Sequence, residues 1–487
     1  MTVTCETWSD RRTDPPTHPP FHRANLPTHP PPHPTHLPIH RRRGWSELCL
    51  HFHCAGQDVS YEVVESHATL PVLTWWESIG KYPDYVISCE TQQRCLVSRN
   101  KTRLQHQEVM MYVFYGSFFL SSGLPFPRKD GDIWALIHEE SPMNKDWLFS
   151  FRSTIELFNY TSTFKRGSDY PLTTHWLTNK ETLLSKEYLV PTDRKDVMRT
   201  DGGLAPIIFV HSDCNTPSNR EQYVKTKIHA VWNEEQSTLQ LLNCNHSLSV
   251  AYRFKNLDGI AGFLKPDFLR LVARYKFAIA FENAICDDYI TEKLWRPLQV
   301  GTVPIVLGSP TIRDILPSTK SAILVEDFDT IQDLAAFIKQ LDRNDEQYES
   351  YLQFKHTGIS NPTLKSELAR ISPGKYAGGS FGKAALGYEC FLCDKLHKAL
   401  DATKAGKPVA KAQANLNHSG CPLPAQKFDE NGQIVPDHRR KHKLAFYHMN
   451  AQVFRQFYDR AENITSHDLY TATKQRLRKA QAKQEDL

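Results

Sequence analysis

Charged and amide side chains are concentrated between two short apolar runs, residues 277–281 and 303–307. Packing between two buried strands would call for far fewer polar groups. Two carboxylates, an amide, a phenol and an ammonium group stand out, carried by Glu282, Asn283, Tyr289, Glu292 and Lys293. The ammonium group of Lys293, with the amide and the phenol as further donors, could bind an anionic ligand.

The same segment predicts the start of a helix directly beyond a strand, near Tyr289, with Lys293 in the first helical turn. The unpaired N–H groups of a helix start carry about half a positive charge and favour anions, and Lys293 can reach the same point. The ordinary alternative is a capped helix, in which Asp287 or Asp288 is the N-cap and Lys293 is solvated. Pro297 removes one helical hydrogen bond and predicts a kink in either case.

Two further stretches place reactive side chains after apolar runs. SDCNTPSNREQYV, residues 212–224, holds Arg220, whose guanidinium group can pair bidentately with a phosphate. DIWALIHEESP, residues 132–142, contains Glu139 and Glu140, and one of two adjacent carboxylates at a strand exit could act as a general base. Taken alone, a Glu-Glu pair is also consistent with an exposed turn.

Strand-like and helix-like patterns alternate along the chain and would position these side chains. In the first part, LPVLTWW, EVMMYVFYGSFFL and DIWALIHEES have the length and the closing polar residues of buried strands. From APIIFVHSD onward, the strand-like runs YKFAIAFEN, VPIVLG and SAILVEDF alternate with helical segments. This alternation predicts parallel, doubly wound α/β sheets, whose ligands bind at the carboxyl ends of the strands.

Length and composition set wider limits. At 487 residues the chain is too long for one ordinary core, and its 40% hydrophobic residues are enough to build two. The formal net charge of +5 is small for this length and, with only short basic clusters, gives no indication of nucleic-acid binding. The chain has no GxGxxG or GxxxxGKS motif, which disfavours ordinary dinucleotide and P-loop sites.

The two ends of the chain differ from its centre. No run approaches the roughly 20 apolar residues that span a bilayer, and the start lacks the pattern of a signal peptide. Residues 14–40 are a Pro/His tract that predicts a flexible stem. Weak metal binding by the histidines, or a true start with a membrane anchor that is missing here, are the alternatives. Beyond about residue 390 the chain is polar, with KLAFYHMNAQVFRQFYDRA as an amphipathic helix.

Eleven cysteines and five Asn-X-Ser/Thr sequons are typical of a protein of the secretory lumen. Two close cysteine pairs are candidates for disulfides, and which cysteine binds which is left open: Cys89, Cys95, Cys390 and Cys393. For the CFLC pair, a half zinc site or a redox pair is less favoured, since no second ligand pair follows at metal spacing. The candidate glycosylation sites are Asn100, Asn159, Asn245, Asn417 and Asn463.

FENAICDDYITEKLWRPLQVGTVPIVLGSP, residues 281–310, resembles the signature of the alpha-1,3-fucosyltransferases of glycosyltransferase family ten. In that family FEN, a tyrosine, TEKLW and a V-P-hydrophobic-hydrophobic-x-G stretch recur at this spacing. The similarity extends through SDCNTPSNREQYV, HEESP and PVLTWW and covers residues 70–395. HEESPMN and ECFLCDK are most similar to the branch of vertebrate fucosyltransferases ten and eleven, described as protein O-fucosyltransferases acting on EMI domains.

The resemblance implies a GT-B fold, in which two Rossmann-like, doubly wound α/β domains face a cleft and the second domain binds GDP-fucose. The expected organisation is a disordered Pro/His-rich region, an acceptor-side domain, a donor domain and a polar tail with a helix, at residues 1–65, 66–200, 201–390 and 391–487. Family members are type II membrane proteins, which implies the lumen of the Golgi apparatus or endoplasmic reticulum and membrane association. This sequence shows the Pro/His tract where an anchor would be expected.

Site residues follow from the matching motifs. Glu140 corresponds to the proposed catalytic base, and Arg220 corresponds to the arginine that binds the donor pyrophosphate. The remaining donor-site positions correspond to Asn283, Tyr289, Glu292 and Lys293. No metal is required in principle, because cations and helix N–H groups can do the work of Mg²⁺, and no DxD motif stands in a comparable position.

The implied reaction is an inverting transfer of fucose from GDP-fucose to an acceptor hydroxyl group. The favoured acceptor is a serine or threonine of a folded secreted module such as an EMI domain, and a GlcNAc hydroxyl group on an N-glycan is the second candidate. A catalytically weak protein that binds clients as a folding factor is the alternative from another class. A binding module has no need of a base such as Glu140 opposite a donor site, which argues against that alternative.

Overall fold

The computed structural model describes the ranges 62–63, 70–76, 84–101, 109–144, 147–174, 176–177, 179–211, 213, 215–224, 239–242, 266–371, 381–423, 426–429 and 433–485. The expectations for the Pro/His tract and for the sequon at Asn245 therefore lie outside the described residues. Residues 62–63, which belong to the predicted disordered region, form a short strand.

The strands within these ranges are β1 (Glu62–Val63), β2 (Val72–Trp75), β3 (Tyr85–Ser88), β4 (Arg94–Ser98), β5 (Met111–Tyr115), β6 (Ile133–His138), β7 (Tyr160–Thr163), β8 (Ile207–Val210), β9 (Leu239–Leu242), β10 (Phe277–Phe281), β11 (Val303–Leu307), β12 (Ile323–Leu324), β13 (Gln426–Phe428) and β14 (Ile434–Pro436). The helices are α1 (Arg152–Ile155), α2 (Lys180–Leu184), α3 (Thr192–Thr200), α4 (Arg220–Tyr223), α5 (Pro266–Ala273), α6 (Glu292–Val300), α7 (Ile331–Asp342), α8 (Asp345–Leu352), α9 (Phe354–Thr357), α10 (Pro362–Ile371), α11 (Phe381–Lys404), α12 (Lys441–Asp459) and α13 (Ser466–Glu485).

The first seven strands form a mixed sheet in the order β1-β3-β4-β2-β5-β6-β7. Strands β4, β2, β5, β6 and β7 run parallel to one another. Strand β3 pairs antiparallel with β4, and β1 pairs antiparallel with β3. Successive side chains of β5 enter opposite cores, with Met111 and Val113 on one face and Tyr112 and Phe114 on the other. Burial on both faces explains the nearly continuous apolar run in this part of the sequence.

Helices from the far end of the chain cover both faces of this sheet. Tyr388 and Leu392 of α11 join one core, and Val453 and Phe454 of α12 join the other. The expected boundary at residue 390 is therefore corrected, because it falls inside α11. The polar tail is not separate from the first domain, since the apolar face of α12 is buried against that domain.

Two disulfides fasten α11 to the first sheet. Cys89 is bonded to Cys390, and Cys95 is bonded to Cys393. Each of the two close pairs noted in the sequence is thus divided between two bonds. Cysteines three apart on a helix lie on one face, so both can reach the neighbouring strands β3 and β4.

The second sheet is entirely parallel, in the order β12-β11-β10-β8-β9. Leu294 and Trp295 of α6 pack against Val306 on one face, whereas Leu334 and Ile338 of α7 pack on the opposite face. Helices on both faces of a parallel sheet confirm the predicted α/β fold with a doubly wound second domain.

A two-stranded hairpin follows α11. Phe428 of β13 enters the core of the second domain, and its backbone N–H donates to the carbonyl group of Ser218. The chain therefore contacts the second domain before α12 returns to the first. Among the residues that the structure describes, no helix combines the length and apolar character needed to cross a membrane.

The sequons differ in exposure. Three of them are exposed, at Asn100, Asn417 and Asn463. Asn159 is corrected as a glycosylation candidate, because it is buried and both ends of its amide are engaged. Its Oδ1 accepts from the backbone N–H of Trp134 at 2.9 Å and from Nη2 of Arg128 at 2.6 Å, and its Nδ2 donates to the carbonyl group of Ala412 at 3.0 Å.

Candidate active site

The two adjacent carboxylates after β6 lie in different surroundings. Glu139 is 8% exposed, and its Oε1 accepts a hydrogen bond from the hydroxyl group of Tyr115. Glu140 is only half-buried, and its Oε2 accepts from Nδ2 of Asn144 at 2.9 Å. Glu140 is therefore the carboxylate of this pair that a substrate could reach.

Glu140 also contacts the second domain. The hydroxyl group of Tyr289 donates to Oε2 of Glu140 at 2.8 Å. Tyr289 is buried, and its ring packs edge-on against Phe164 with centroids 5.3 Å apart. Burial, followed by the charges of Glu140 and Glu282, raises the pKa of Tyr289 well above its ordinary value, so its hydroxyl group stays protonated and donates. The loops that follow β6 and β10 therefore meet at this bond.

The start of α6 lies slightly later than the sequence predicts. The helix begins at Glu292 instead of near Tyr289, and Thr291 is its N-cap, with Oγ1 accepting from the backbone N–H of Lys293. The chain remains helical through Pro297, to Val300.

A protein carboxylate lies at this helix start. Glu282 directly follows β10, is 3% exposed and accepts from the backbone N–H of Thr291 at 2.8 Å and from its hydroxyl group at 3.0 Å. Burial raises the pKa of Glu282, while the charge of Lys293 opposes that rise. The helix start is thus partly capped by the chain itself.

Lys293 and Glu292 belong to a row of alternating charges. Nζ of Lys293 lies 3.1 Å from Oε1 of Glu292 and 3.5 Å from Oε2 of Glu282. Nη2 of Arg296 lies 3.4 Å from the same Glu292 oxygen. Burial alone would raise the pKa of Glu292, but the charges of Lys293 and Arg296 lower it to about 2. Lys293 is therefore paired within the protein, and the alternative of a solvated lysine does not hold.

Arg220 begins α4 and is 2% exposed. Its Nη1 donates to the carbonyl group of Phe281, the last residue of β10, at 2.6 Å. Its Nε is buried and has no acceptor in the described part of the chain. Burial lowers the pKa of Arg220, and the charges of Glu282 and Glu221 oppose that change. The guanidinium group therefore keeps a free donor beside the carboxyl end of β10.

Asn283 is held through its backbone. Its carbonyl group accepts from the backbone N–H of Ser218 at 2.9 Å, and the Ser218 hydroxyl group donates to the carbonyl group of Glu282 at 2.7 Å. Oδ1 of Asn283 is buried and has no donor among the residues described. Because the loops before α4 and after β10 are fastened together, Arg220 and Asn283 lie at the same sheet edge.

The two aspartates considered as helix caps pair instead with the first domain. Nε of Arg166 donates to Oδ1 of Asp288 at 2.8 Å, and its Nη2 donates to Oδ2 of Asp314 at 2.7 Å. Nζ of Lys165 lies 3.6 Å from Oδ2 of Asp287. The pairs with Asp287 and Asp288 attach the segment after β7 to the loop that carries Tyr289, and the pair with Asp314 attaches it to the segment after β11.

A third disulfide joins the loop that carries Tyr289 to the C-terminal part of the chain. Cys286 is bonded to Cys421, and Oγ of Ser141, the residue after Glu140, lies 3.2 Å from each sulfur atom. Tyr289 and Met143 belong to the same buried cluster. The bond therefore links the loop of the second domain, the HEES turn of the first and the C-terminal part of the chain.

The structure brings the predicted site residues to one region. Glu140 contacts Tyr289 directly, Glu292 contacts Lys293, and the backbone of β10 connects Arg220 to Asn283. The sequence singled out Glu282 among the candidate groups but gave it no separate role. It did not identify the supporting groups Ser218, Arg296, Ser141 and the Cys286–Cys421 bond, whose partners are too far apart in sequence to be chosen from spacing.

Two family profiles match the chain. The profile described as "Fucosyltransferase, N-terminal" matches residues 67–174, and the profile described as "Glycosyltransferase family 10 (fucosyltransferase) C-term" matches residues 205–412. Glu140 falls within the first range, and the donor-side candidates fall within the second.

Several relatives are similar over most of their length. "GDP-fucose protein O-fucosyltransferase 3" of Gallus gallus is 36% identical over 404 residues, which are 82% of this chain and 82% of the relative. The Homo sapiens protein of the same name is 39% identical over 355 residues, 73% of this chain and 71% of the relative. Among solved structures, "Crystal Structure of alpha1,3-Fucosyltransferase with GDP-fucose" is 16% identical with a TM-score of 0.33, covering 58% of this chain and 80% of that one.

Proposed function

Since the chain belongs to glycosyltransferase family 10, the fucosyltransferases, we propose that it transfers L-fucose from GDP-β-L-fucose to a serine or threonine hydroxyl group of a folded secreted protein. The relatives that match most of the chain are named for this donor and for a protein acceptor. The observation that carries the proposal is the hydrogen bond between Glu140 and Tyr289, which places an accessible carboxylate beside the cationic donor-side segment.

Glu140 is the general base of the proposed reaction. It removes the proton from the acceptor hydroxyl group while that oxygen attacks the anomeric carbon of fucose. The bond from that carbon to the β-phosphate oxygen breaks with inversion, and GDP leaves with the bonding electrons. Asn144 and Tyr289 both donate to Oε2 of Glu140, which leaves Oε1 for the acceptor.

Positive groups around β10 stabilise the departing GDP in this proposal. Arg220 has a buried Nε without an acceptor among the described residues, and Lys293 is within reach of two carboxylates that a phosphate would displace. A guanidinium group and an ammonium group placed where negative charge grows lower the barrier most effectively when burial excludes water. Asn283 would bind donor hydroxyl or phosphate oxygens with its side-chain amide.

No divalent cation is included in the mechanism. Lys293, Arg220 and Arg296 supply positive charge at the point where Mg²⁺ would otherwise be needed. Transfer is therefore expected to continue at an unchanged rate after treatment with EDTA. Loss of activity that returns with Mg²⁺ or Mn²⁺ would contradict this part of the proposal.

The proposed location is the lumen of the Golgi apparatus or endoplasmic reticulum, with attachment to the membrane. Three disulfides in the described residues are consistent with an oxidising compartment. An EMI-type module, itself a folded secreted domain, is the proposed acceptor. Immunolocalisation of the full chain with luminal markers tests the location, and a cytosolic distribution would contradict it.

The acceptor class is tested by giving the purified protein GDP-fucose with a folded EMI-type domain and, separately, with a panel of N-glycans. Mass spectrometry of the products is expected to show fucose on a serine or threonine of the folded domain. Fucose on glycan GlcNAc alone would replace the acceptor assignment. If neither acceptor receives fucose, and GDP is released no faster than by Glu140→Gln, the enzyme proposal is rejected and the alternative of a client-binding folding factor remains.

A further inference from the structure

Two large apolar side chains are exposed on the segment that follows β5. Phe118 is 59% exposed and Leu120 is 55% exposed, the two largest fractions among large hydrophobic residues in the described part of the chain. The residue between them, Phe119, is 8% exposed. The segment thus turns one side chain into the core and presents its two neighbours to solvent.

The segment is held firmly by its buried members. The ring of Phe119 packs against Phe149 at 5.3 Å and against Phe114 at 6.0 Å between centroids. A Cβ atom at Gly116 would lie 2.5 Å from Cγ of His138, so the backbone runs directly over that side chain. Exposure of Phe118 and Leu120 is therefore part of a packed arrangement. Two neighbouring apolar side chains held exposed in this way form a small surface on which a partner could pack.

This apolar surface lies beside the proposed base. Strands β5 and β6 are parallel neighbours with Tyr115 opposite Ile137, so the segments that follow them leave the same sheet edge. The ring of Phe118 packs edge-on against Tyr115 at 5.2 Å, and the hydroxyl group of Tyr115 donates to Glu139. Phe118 is thus connected by two contacts to the residue that precedes Glu140.

We propose that Phe118 and Leu120 dock the acceptor protein, by covering an apolar patch that lies next to its fucosylated serine or threonine. The inference rests on the proposed function, because the acceptor hydroxyl group has to reach Glu140 while the rest of the acceptor covers the surface around it. A folded protein is favoured over a sugar because Leu120 offers no flat face on which a sugar ring could stack, whereas both side chains suit an apolar protein surface. Rigid presentation lowers the entropic cost of this contact.

The test is a double variant, Phe118→Ser with Leu120→Ser, assayed with GDP-fucose and a folded acceptor domain. The KM for the folded acceptor is expected to rise by roughly tenfold, as for loss of an interface anchor, with little change in kcat. Hydrolysis of GDP-fucose without acceptor is expected to stay at the wild-type rate, which also reports that the variant is folded. An unchanged KM, or equal loss of hydrolysis and transfer, would overturn the proposal.

Two controls sharpen the result. Val197→Ser removes an apolar side chain that is 46% exposed on α3. Lys195, on the same helix, donates to the carbonyl group of Gly301, which follows the C-terminal end of α6. The candidate site lies at the other end of α6, beside Thr291. Val197→Ser is therefore expected to keep the wild-type KM. A second double variant, Phe118→Leu with Leu120→Met, keeps the surface apolar and is expected to restore the KM.

If Phe118→Leu with Leu120→Met is as defective as the serine variant, an aromatic face is required and a stacked sugar replaces the protein surface. If the wild-type protein fucosylates no folded domain at all, the proposed function fails and the docking assignment fails with it. If the wild-type protein fucosylates the folded domain and the serine variant has the same KM for it, the docking assignment is rejected and the proposed function stands.

Discussion

At the scale of single residues, the hydroxyl group of Tyr289 has the most direct consequence. The sequence motif places Tyr289 among donor-binding positions, but its hydroxyl group donates to the carboxylate of Glu140. A buried phenol that remains protonated orients a carboxylate through a charge-assisted hydrogen bond. In the proposed mechanism Tyr289 is therefore a positioning residue for the base.

Tyr289→Phe removes that hydrogen bond and keeps the ring that packs against Phe164. A hydrogen bond to a charged group contributes roughly 1.5–3 kcal/mol, so kcat is expected to fall by about tenfold or more. The KM for GDP-fucose is expected to change little, because the ring and the loop stay in place. Steady-state kinetics measure both constants. A raised KM for GDP-fucose with a normal kcat would indicate that Tyr289 binds the donor instead.

Residue types and spacing alone could not decide which of the two neighbouring carboxylates acts as the base, and only the family resemblance selected Glu140. HEES offers two carboxylates of equal intrinsic character, and only the tertiary contact of Glu139 with Tyr115 separates them. Likewise, DDYITEK predicts a capped helix, yet both aspartates have partners more than 100 residues earlier. Local propensity contains no information about such partners, which is why the alternative of Asp287 or Asp288 as the N-cap is wrong.

At the scale of elements, the loop between β10 and α6 is held from several directions. Its start is fixed by Ser218, its centre by Cys421 and its end by Glu282. Gly308 after β11 makes room for this arrangement, since a Cβ atom there would lie 2.8 Å from Cβ of Glu282. The glycine that closes the VPIVLG motif therefore has a packing reason.

Removal of the Cys286–Cys421 disulfide is expected to loosen this loop. The double variant Cys286→Ala with Cys421→Ala should lose on the order of 2–4 kcal/mol of unfolding free energy and bind GDP more weakly, because the donor-side candidates Asn283 and Lys293 flank the released segment. Thermal unfolding and calorimetric titration with GDP measure the two effects.

The matched control is Cys95→Ala with Cys393→Ala, which removes a disulfide from the first sheet. The neighbouring bond from Cys89 to Cys390 still fastens α11. This control should lower the unfolding temperature without changing the affinity for GDP. Equal effects of the two pairs on GDP binding would argue against a specific role for the bond to Cys421.

At the scale of the whole molecule, the first domain depends on helices that lie at the end of the chain. The alternation of strands and helices allowed the two α/β domains to be predicted, since both faces of each sheet need apolar cover. The return of α11 and α12 to the first sheet could not be predicted, because an amphipathic pattern states that a face is buried but not against what.

Glu389 makes this long-range packing dependent on pH. Its carboxylate is buried in α11 and accepts from Nε1 of Trp75 and from the hydroxyl group of Tyr85, both at 2.7 Å. Burial raises the pKa of Glu389 to about 7, against the lowering effect of those two hydrogen bonds. Between its ordinary pKa and about 7 this group binds more protons in the folded than in the unfolded state, so the contribution of Glu389 to stability is full below its ordinary pKa and is lost as the pH rises through 7.

The expected loss of unfolding free energy over this pH window is about 3 kcal/mol at most, from one group with this shift. Glu389→Gln keeps an acceptor for Trp75 and Tyr85 and should flatten the dependence. Urea unfolding between pH 4.5 and pH 7.5 measures it. A wild-type protein that gains stability over that window, or a variant with the same slope, would show that Glu389 does not control this dependence.

The measurement that tests the central claim most directly is transfer and GDP binding by Glu140→Gln, compared with Glu139→Gln. Loss of the base should reduce kcat for fucose transfer by roughly 100- to 10,000-fold, while calorimetry with GDP gives the wild-type affinity. Glu139→Gln should retain far more transfer activity, because the Glu139 carboxylate is buried against Tyr115. Near-normal transfer by Glu140→Gln, or a larger loss in Glu139→Gln, would contradict the assignment of Glu140 as the base.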